Sequence, residues 1–168
     1  GYILTGFEGF TRLVDATIGR ISIDIPIPIP EQQEFAGFRS GEQVLNGQRL
    51  LDFSRTRKKI PGGDFARSYH QGIVMLAVLR NLQESPPEQV PAMLAELSRF
   101  TETNLTPADL VQLGAAAMHM ELGSITNEVL PGTIGRASGG QSVVFLDPGF
   151  EAIVEDVIDD GIRNDSSG

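Results

Sequence analysis

Four residues within seventeen positions of this 168-residue chain are of types that can hold an anion, Arg55, Arg57, Arg67 and Gln71, and a fifth, Asp64, can brace the arginines. Arginine suits phosphate because its planar guanidinium makes two parallel, charge-assisted hydrogen bonds to neighbouring oxygens. Asp64, Arg67 and Gln71 follow the spacing i, i+3, i+7, which puts them along one face of a helix within its first two turns. The unpaired N–H groups and positive dipole end of that helix lie nearby. Arg55 and Arg57 alternate along an extended approach and project to the same side. Three guanidiniums and one amide can thus meet a single anion, with Asp64 bracing Arg67 or Arg57. Lys58 and Lys59 read as the solvated part of the run, with a membrane surface as a possible contact. The same spacing also fits a solvated basic loop followed by a helix with an ordinary cap, and spacing alone leaves both readings open.

The charge balance bears on this choice. The chain carries 13 Lys and Arg against 22 Asp and Glu, net −9. Between Arg49 and Arg67 there are six basic residues and only two acidic ones, so this stretch is +4 and the remainder is −13. An acidic protein with one concentrated basic segment points to a local anion site. It argues against a general nucleic-acid binder, which needs a basic face. The absence of cysteine excludes disulfides, thiolate metal sites and a cysteine nucleophile.

Other candidates are weaker. His70 and His119 fall on different helices and lack zinc spacing. Gly132 to Gly140 is glycine-rich but lacks the Lys and Ser/Thr pair of a phosphate loop, and reads as a hairpin turn. Glu155, Asp156, Asp159 and Asp160 sit at helical spacing, as on a solvated helix face, rather than at calcium-loop spacing. Ser54, Ser68 and His70 form no recognisable nucleophile arrangement. His70 and Gln71 read as ordinary polar-face residues.

The elements that must position the anion site follow from periodicity. Tyr2 to Thr5 predicts a short strand, and Phe7, Phe10, Leu13 and Val14 predict a helix over 7–17. Ile21, Ile23 and Ile25 alternate with polar residues as in a half-buried strand. Pro26, Pro28 and Pro30 then favour an extended edge or loop, and the chain to about Val44 reads as a long connection. Asn46 can cap a helix carrying Leu50, Leu51 and Phe53. An exposed loop follows from Arg55 to Gly63. Asp64 is the expected cap of a helix running to about Leu82. Pro86 and Pro87 open another helix, with Val90, Met93, Leu94, Leu97 and Phe100 as its stripe. Thr106, Pro107 and Asp109 start a third. Ser124–Leu130 and Ser142–Leu146 read as strands, and Asp147-Pro148 opens a last helix. A polar tail covers 164–168. Strands interleaved with helices indicate an α/β or α+β layered domain over 1–163. No run of apolar residues is long enough to span a membrane, and none reads as a signal peptide.

Several blocks together resemble the LytR–CpsA–Psr family of bacterial envelope proteins. Tyr2 to Phe10 with Leu13-Val14-Asp15-Ala16 is similar to the family's block ending in VDA–GG, and Ile21 to Pro26 to its following strand. Leu45 to Arg57 is similar to its LNG-x-x-A-L-x-Y-x-R-x-R block. Asp64, Arg67 and Gln71 fit D-x-x-R-x-x-x-Q, and Thr103-Asn104-Leu105 fits a later TN(L/I) block. The resemblance implies an α/β/α layered domain with a central mixed sheet and an apolar pocket for a polyprenyl chain. It implies transfer of a glycopolymer from a polyprenyl-pyrophosphate carrier to peptidoglycan. Arg55, Arg57, Arg67 and Gln71 would contact the pyrophosphate, with Asp64 in support. Apolar faces over Ile73–Leu82 and Val90–Leu97 would line the lipid slot, or simply pack in the core. The family's block with metal-binding aspartates is not in this chain, so magnesium is implied but no metal ligand is assigned. The chain is therefore expected to be the C-terminal part of an extracytoplasmic domain, held at the membrane by an upstream anchor outside it. Two residues depart from the pattern: the second glycine near Gly19 is replaced, and His70 stands where the family commonly has a charged residue. Two further readings remain: a non-catalytic polyprenyl-phosphate binding or scaffolding domain, and a polyprenyl-pyrophosphate hydrolase.

Overall fold

A computed structural model describes residues 1–160, and the tail expected over 164–168 lies outside them. The chain divides into two compact units, Gly1–Ile125 and the part from Thr126 onward. The first holds β1 (Ile3–Leu4), α1 (Phe7–Thr17), β2 (Ile21–Ile25), β3 (Gly41–Leu45), α2 (Gly47–Ser54), α3 (Asp64–Glu84), α4 (Val90–Phe100), β4 (Glu102–Thr103) and α5 (Pro107–His119). The second holds β5 (Gly132–Arg136), β6 (Ser142–Leu146) and α6 (Phe150–Asp160).

The core of the first unit starts from the isoleucine alternation in β2. Ile21, Ile23 and Ile25 point inward and are essentially inaccessible, while Asp24 faces solvent. Val14, Ile29, Phe38, Leu45, Leu50, Phe53, Val74 and Ala77 complete the cluster. β2 is covered by α3, and α2 packs against both α1 and α3. The cluster therefore lies under the segment that carries the arginines.

β3 falls in the stretch expected to be a connection. It pairs antiparallel with β2, Ile21 opposite Leu45 and Ile25 opposite Gly41. Its sequence, Gly-Glu-Gln-Val-Leu, lacks an apolar alternation because only Leu45 is buried and Val44 is exposed. Backbone pairing to β2 holds it instead. The three prolines do not leave the intervening chain loose: Ile29 and Phe38 exchange two backbone hydrogen bonds of 2.8 Å. The α/β class stands. The central mixed sheet is replaced, among the described residues, by three two-stranded antiparallel pairs: β1 with β4, β2 with β3, and β5 with β6. Pro26 and Pro28 have no N–H with which to extend the β2 ladder, and β1 and β4 are two residues each.

α2 begins where expected. Asn46 accepts a hydrogen bond from the Arg49 N–H at 3.0 Å. Gly47 follows, buried where α1 and α2 backbones meet, and its N–H donates to the Asp15 carboxylate at 2.8 Å. A Cβ at this position would lie 2.5 Å from the Thr11 carbonyl oxygen and 2.9 Å from Thr11 Cα. Since both obstacles are backbone, Gly47→Ala must push the helices apart. We expect a loss of about 3 kcal/mol, read as a lower urea midpoint in equilibrium unfolding.

α3 is capped differently from expectation. Gly63 is its N-cap, and Asp64 is the first helical residue. Gly62 and Gly63 both take positive φ, +86° and +51°, and turn the loop directly into the helix. The Asp64 carboxylate is thereby released from capping and is free to meet the arginines. α5 keeps its expected start: Thr106 and Asp109 form a reciprocal capping box. The Thr106 N–H and hydroxyl hold the Asp109 carboxyl below the usual range.

Of the two strands expected around the glycine-rich turn, β6 falls at Ser142–Leu146 as expected and the first is displaced. Residues 125–131 form no strand, and β5 occupies part of the stretch read as a turn. The turn is confined to Ala137–Gln141, with Gly140 at φ +81°. Gly135 is tolerated inside β5 because the Phe145 ring covers it; a Cβ there would come within 2.7 Å of that ring. No helix among the described residues is long and apolar enough to cross a membrane.

Candidate functional site

The end of α2, the loop after it and the first two turns of α3 form one wall of a cleft of about 590 Å³. Arg55, Arg57, Arg67 and Gln71 all line it, joined by Lys58. Phe7, Gln32, Phe35, Gln48 and Asp52 line it as well. The four anion-binding candidates therefore meet in one place. Their approach differs from the expectation in one respect. Arg55 is not extended: it is the C-cap of α2 in helical conformation, φ −100° and ψ −5°. Its guanidinium carbon lies 4.5 Å from the centroid of the Phe7 ring. That cation–π contact replaces strand alternation as the device that orients it.

Asp64 braces both of the other arginines rather than one. Its Oδ1 is 3.0 Å from Arg67 Nη2 and 3.9 Å from Arg57 Nη1. All three side chains are between one third and just over one half exposed. Ion pairs so exposed add little to stability; their effect is to hold two forks at a common point. Arg55 stands on the Phe7 ring and not on this carboxylate, so the three guanidiniums outnumber the one carboxylate that braces two of them. Lys58, read from sequence as a solvated residue, lines the cleft and lies 3.6 Å from Glu34.

Two residues beneath this wall have no part in the site as read from sequence: Thr56 is not singled out, and His70 reads as a polar-face residue, which its burial corrects. Thr56, between the two arginines, and His70, beside Gln71, are both buried. Thr56 Oγ1 lies 2.7 Å from His70 Nδ1 and 2.7 Å from the Phe53 carbonyl oxygen. The imidazole stacks on the Phe53 ring at 4.4 Å. His70, Val74 and Ala77 are the buried residues of α3, an i, i+4, i+7 stripe. That stripe was the available signal: the apolar period of α3, extended back one turn, lands on His70.

Burial holds the His70 pKa below its ordinary value. The unfolded chain then binds a proton near pH 6.5 while the folded one does not. Stability is fully present above that pH and falls as pH drops through the range below it. We expect the thermal midpoint to decline from pH 7 towards pH 5, and His70→Phe to flatten this decline, as measured by calorimetry across the range.

A second cavity of about 520 Å³ is apolar and lies between α4 and α5, lined by Val90, Leu94, Leu110, Val111 and Met118. α3 does not contribute to it, and of the two outcomes open to that helix's apolar face, slot or core, it takes the core. Val74 and Ala77 pack in the core instead, and Val90 and Leu94 are joined by α5.

The described residues do not by themselves supply a magnesium site, as expected of a chain without the family's block of metal-binding aspartates. No group of three metal-ligating side chains occurs among the described residues. Asp64 is engaged by two arginines, Glu34 by Lys58, and Asp52 by Gln48 and Arg49.

Fold and cleft together define an α/β protein with an arginine-lined cleft. Comparison with known proteins places it further. The LytR–CpsA–Psr family model matches residues 1–155, and the chain belongs to that family. Over 106 residues it is 34% identical to the polyisoprenyl-teichoic acid–peptidoglycan teichoic acid transferase TagU of Bacillus cereus, covering 62% of this chain and 34% of that protein. The crystal structure of Bacillus subtilis TagV superposes with a TM-score of 0.78 at 21% identity, over 95% of this chain and 63% of that one. A LytR-Csp2A-Psr enzyme from Actinomyces oris gives 0.70 at 20% identity, over 91% and 61%. The chain spans about one third of the length of the curated relatives it matches.

Proposed function

We propose that this chain supplies the pyrophosphate-binding face of an envelope phosphotransferase that moves a polyprenyl-linked glycopolymer onto peptidoglycan. The observation that carries the reading is the convergence of Arg55, Arg57, Arg67 and Gln71 on one cleft, with Asp64 shared between two of the guanidiniums. The relatives named as teichoic acid transferases support it. In the reaction a peptidoglycan hydroxyl attacks the glycan-bearing phosphorus. A new P–O bond forms, the pyrophosphate P–O bond breaks, the hydroxyl proton is released and polyprenyl phosphate departs. Arg55, Arg57 and Arg67 neutralise the charge that develops on the phosphoryl oxygens and leaving group, and Gln71 fixes their orientation. The apolar groove between α4 and α5 suits a prenyl chain. Action at the membrane face of the cell envelope follows from such a carrier. No step is assigned to magnesium.

The test uses the full-length protein, lipid-linked glycopolymer and peptidoglycan. Replacing Arg55 and Arg67 together by Ala is expected to cut transfer by at least about 100-fold. Unchanged transfer and unchanged carrier binding would show the assignment to be wrong. Carrier binding without any transfer by the parent protein would instead mark a binding domain, and phosphate release without peptidoglycan a hydrolase.

A further inference from the structure

We propose that the buried hydrogen bond between Thr56 and His70 is a positioning device for the anion site, tying the Arg55–Arg57 segment to the α3 turn that carries Arg67 and Gln71. The inference rests on the pyrophosphate reading of the cleft and adds to it the element that sets the cleft's geometry.

The four anion-binding side chains come from two stretches of backbone. Arg55 and Arg57 flank Thr56; Gln71 adjoins His70, and Arg67 lies one turn before it. Between the two stretches runs a loop that contains three positive-φ residues, Lys59, Gly62 and Gly63. Such a loop does not by itself fix the distance between its ends. The exposed ties across the site are the Asp64 ion pairs, which water screens. The Thr56–His70 contact is of another kind, since both residues are at most 1% exposed. A bond made there has no water to compete for its partners, and breaking it strands a buried polar group.

The direction of the bond follows from its neighbours. The Phe53 carbonyl oxygen can only accept, so the 2.7 Å contact from Thr56 Oγ1 uses the single hydroxyl hydrogen. The 2.7 Å contact to His70 must then use a hydrogen on Nδ1, donated to Thr56. One chain of hydrogen bonds therefore runs from α3 through His70 and Thr56 to the end of α2, and an arginine is displayed one residue to either side of Thr56. The imidazole is itself fixed by stacking on Phe53, which also meets the Phe38 ring edge-on at 5.6 Å. Neither Thr56 nor His70 lines the cleft. Their action is on where the arginines stand.

Titration calorimetry of the intact chain with inorganic pyrophosphate tests this, at a temperature where circular dichroism shows every variant folded. Thr56→Val keeps the side-chain shape and removes the hydroxyl; we expect pyrophosphate to bind it about tenfold more weakly. Thr56→Ser keeps the hydroxyl and should bind within about threefold of the parent. Should Thr56→Val not fold, His70→Phe is read by the same criterion, because it keeps the ring stack and removes the Nδ1 hydrogen. Parent-like binding by Thr56→Val or His70→Phe overturns the proposal. So does a Thr56→Ser variant as weak as Thr56→Val, which would mark a packing role. No binding by the parent chain overturns the pyrophosphate reading itself, an outcome distinct from both.

Discussion

Arg67→Ala is expected to weaken pyrophosphate binding about 100-fold, more than either Arg55→Ala or Arg57→Ala. The reason lies in Asp64. Arg67 is the closer of its two partners, at 3.0 Å against 3.9 Å for Arg57, and it is the less exposed guanidinium. Its removal takes away a two-pronged contact to the anion and also leaves the Asp64 carboxylate facing the pyrophosphate with one cation fewer. The second effect is repulsive and adds to the first. It can be separated: adding Asp64→Asn to Arg67→Ala should recover part of the loss, whereas Asp64→Asn alone should weaken binding by loosening both forks. Arg67→Lys should recover little, because an ammonium keeps the charge without the planar fork. Calorimetric titration of the six variants in low salt measures all of this, and the affinity of each should fall further as salt is raised.

Phe53→Ala is expected to destabilise the first unit by about 4 kcal/mol, near the upper end of what a single core truncation costs. Phe53 is fully buried and sits between two rings, Phe38 edge-on and His70 face to face. Truncation removes the transfer energy of the ring, leaves a cavity between α2 and α3, and takes away the surface that holds the imidazole. Since Arg55 and Thr56 follow closely in the chain, the cleft should suffer as well as the core. Urea denaturation should show a lower midpoint with little change in slope, and pyrophosphate affinity should be reduced even where the variant is folded. Phe53→Leu should recover most of the stability but not the ring stack.

The parts of this molecule that were legible in the sequence are those with a local cause. The helix over 7–17, the isoleucine alternation of β2, the Asn46 cap and the Thr106–Asp109 box each announce themselves within a few residues. So does the arginine set, because Arg55, Arg57, Asp64, Arg67 and Gln71 lie on two adjoining stretches. What was not legible depended on distant partners. β3 has one buried side chain and is a strand only because β2 lies beside it. Gly63 rather than Asp64 caps α3 because two positive-φ glycines turn the loop into the helix, and the freed Asp64 carboxylate meets arginines, one of them seven residues earlier. His70 looked like a surface residue because its type is polar, although its place in the α3 stripe pointed inward. Polar identity and helical phase disagreed there, and phase decided because Thr56 satisfies the imidazole.

The central claim is that this arginine cleft recognises a prenyl-linked pyrophosphate. It is tested most directly by comparing the affinity of the chain for farnesyl pyrophosphate and for farnesol, alongside the Arg55→Ala/Arg57→Ala/Arg67→Ala variant. The pyrophosphate is expected to bind the parent chain saturably and far more tightly than the alcohol, and the triple variant is expected to lose that difference. Equal affinity of the parent for the two ligands, or a triple variant that still prefers the pyrophosphate, would contradict it.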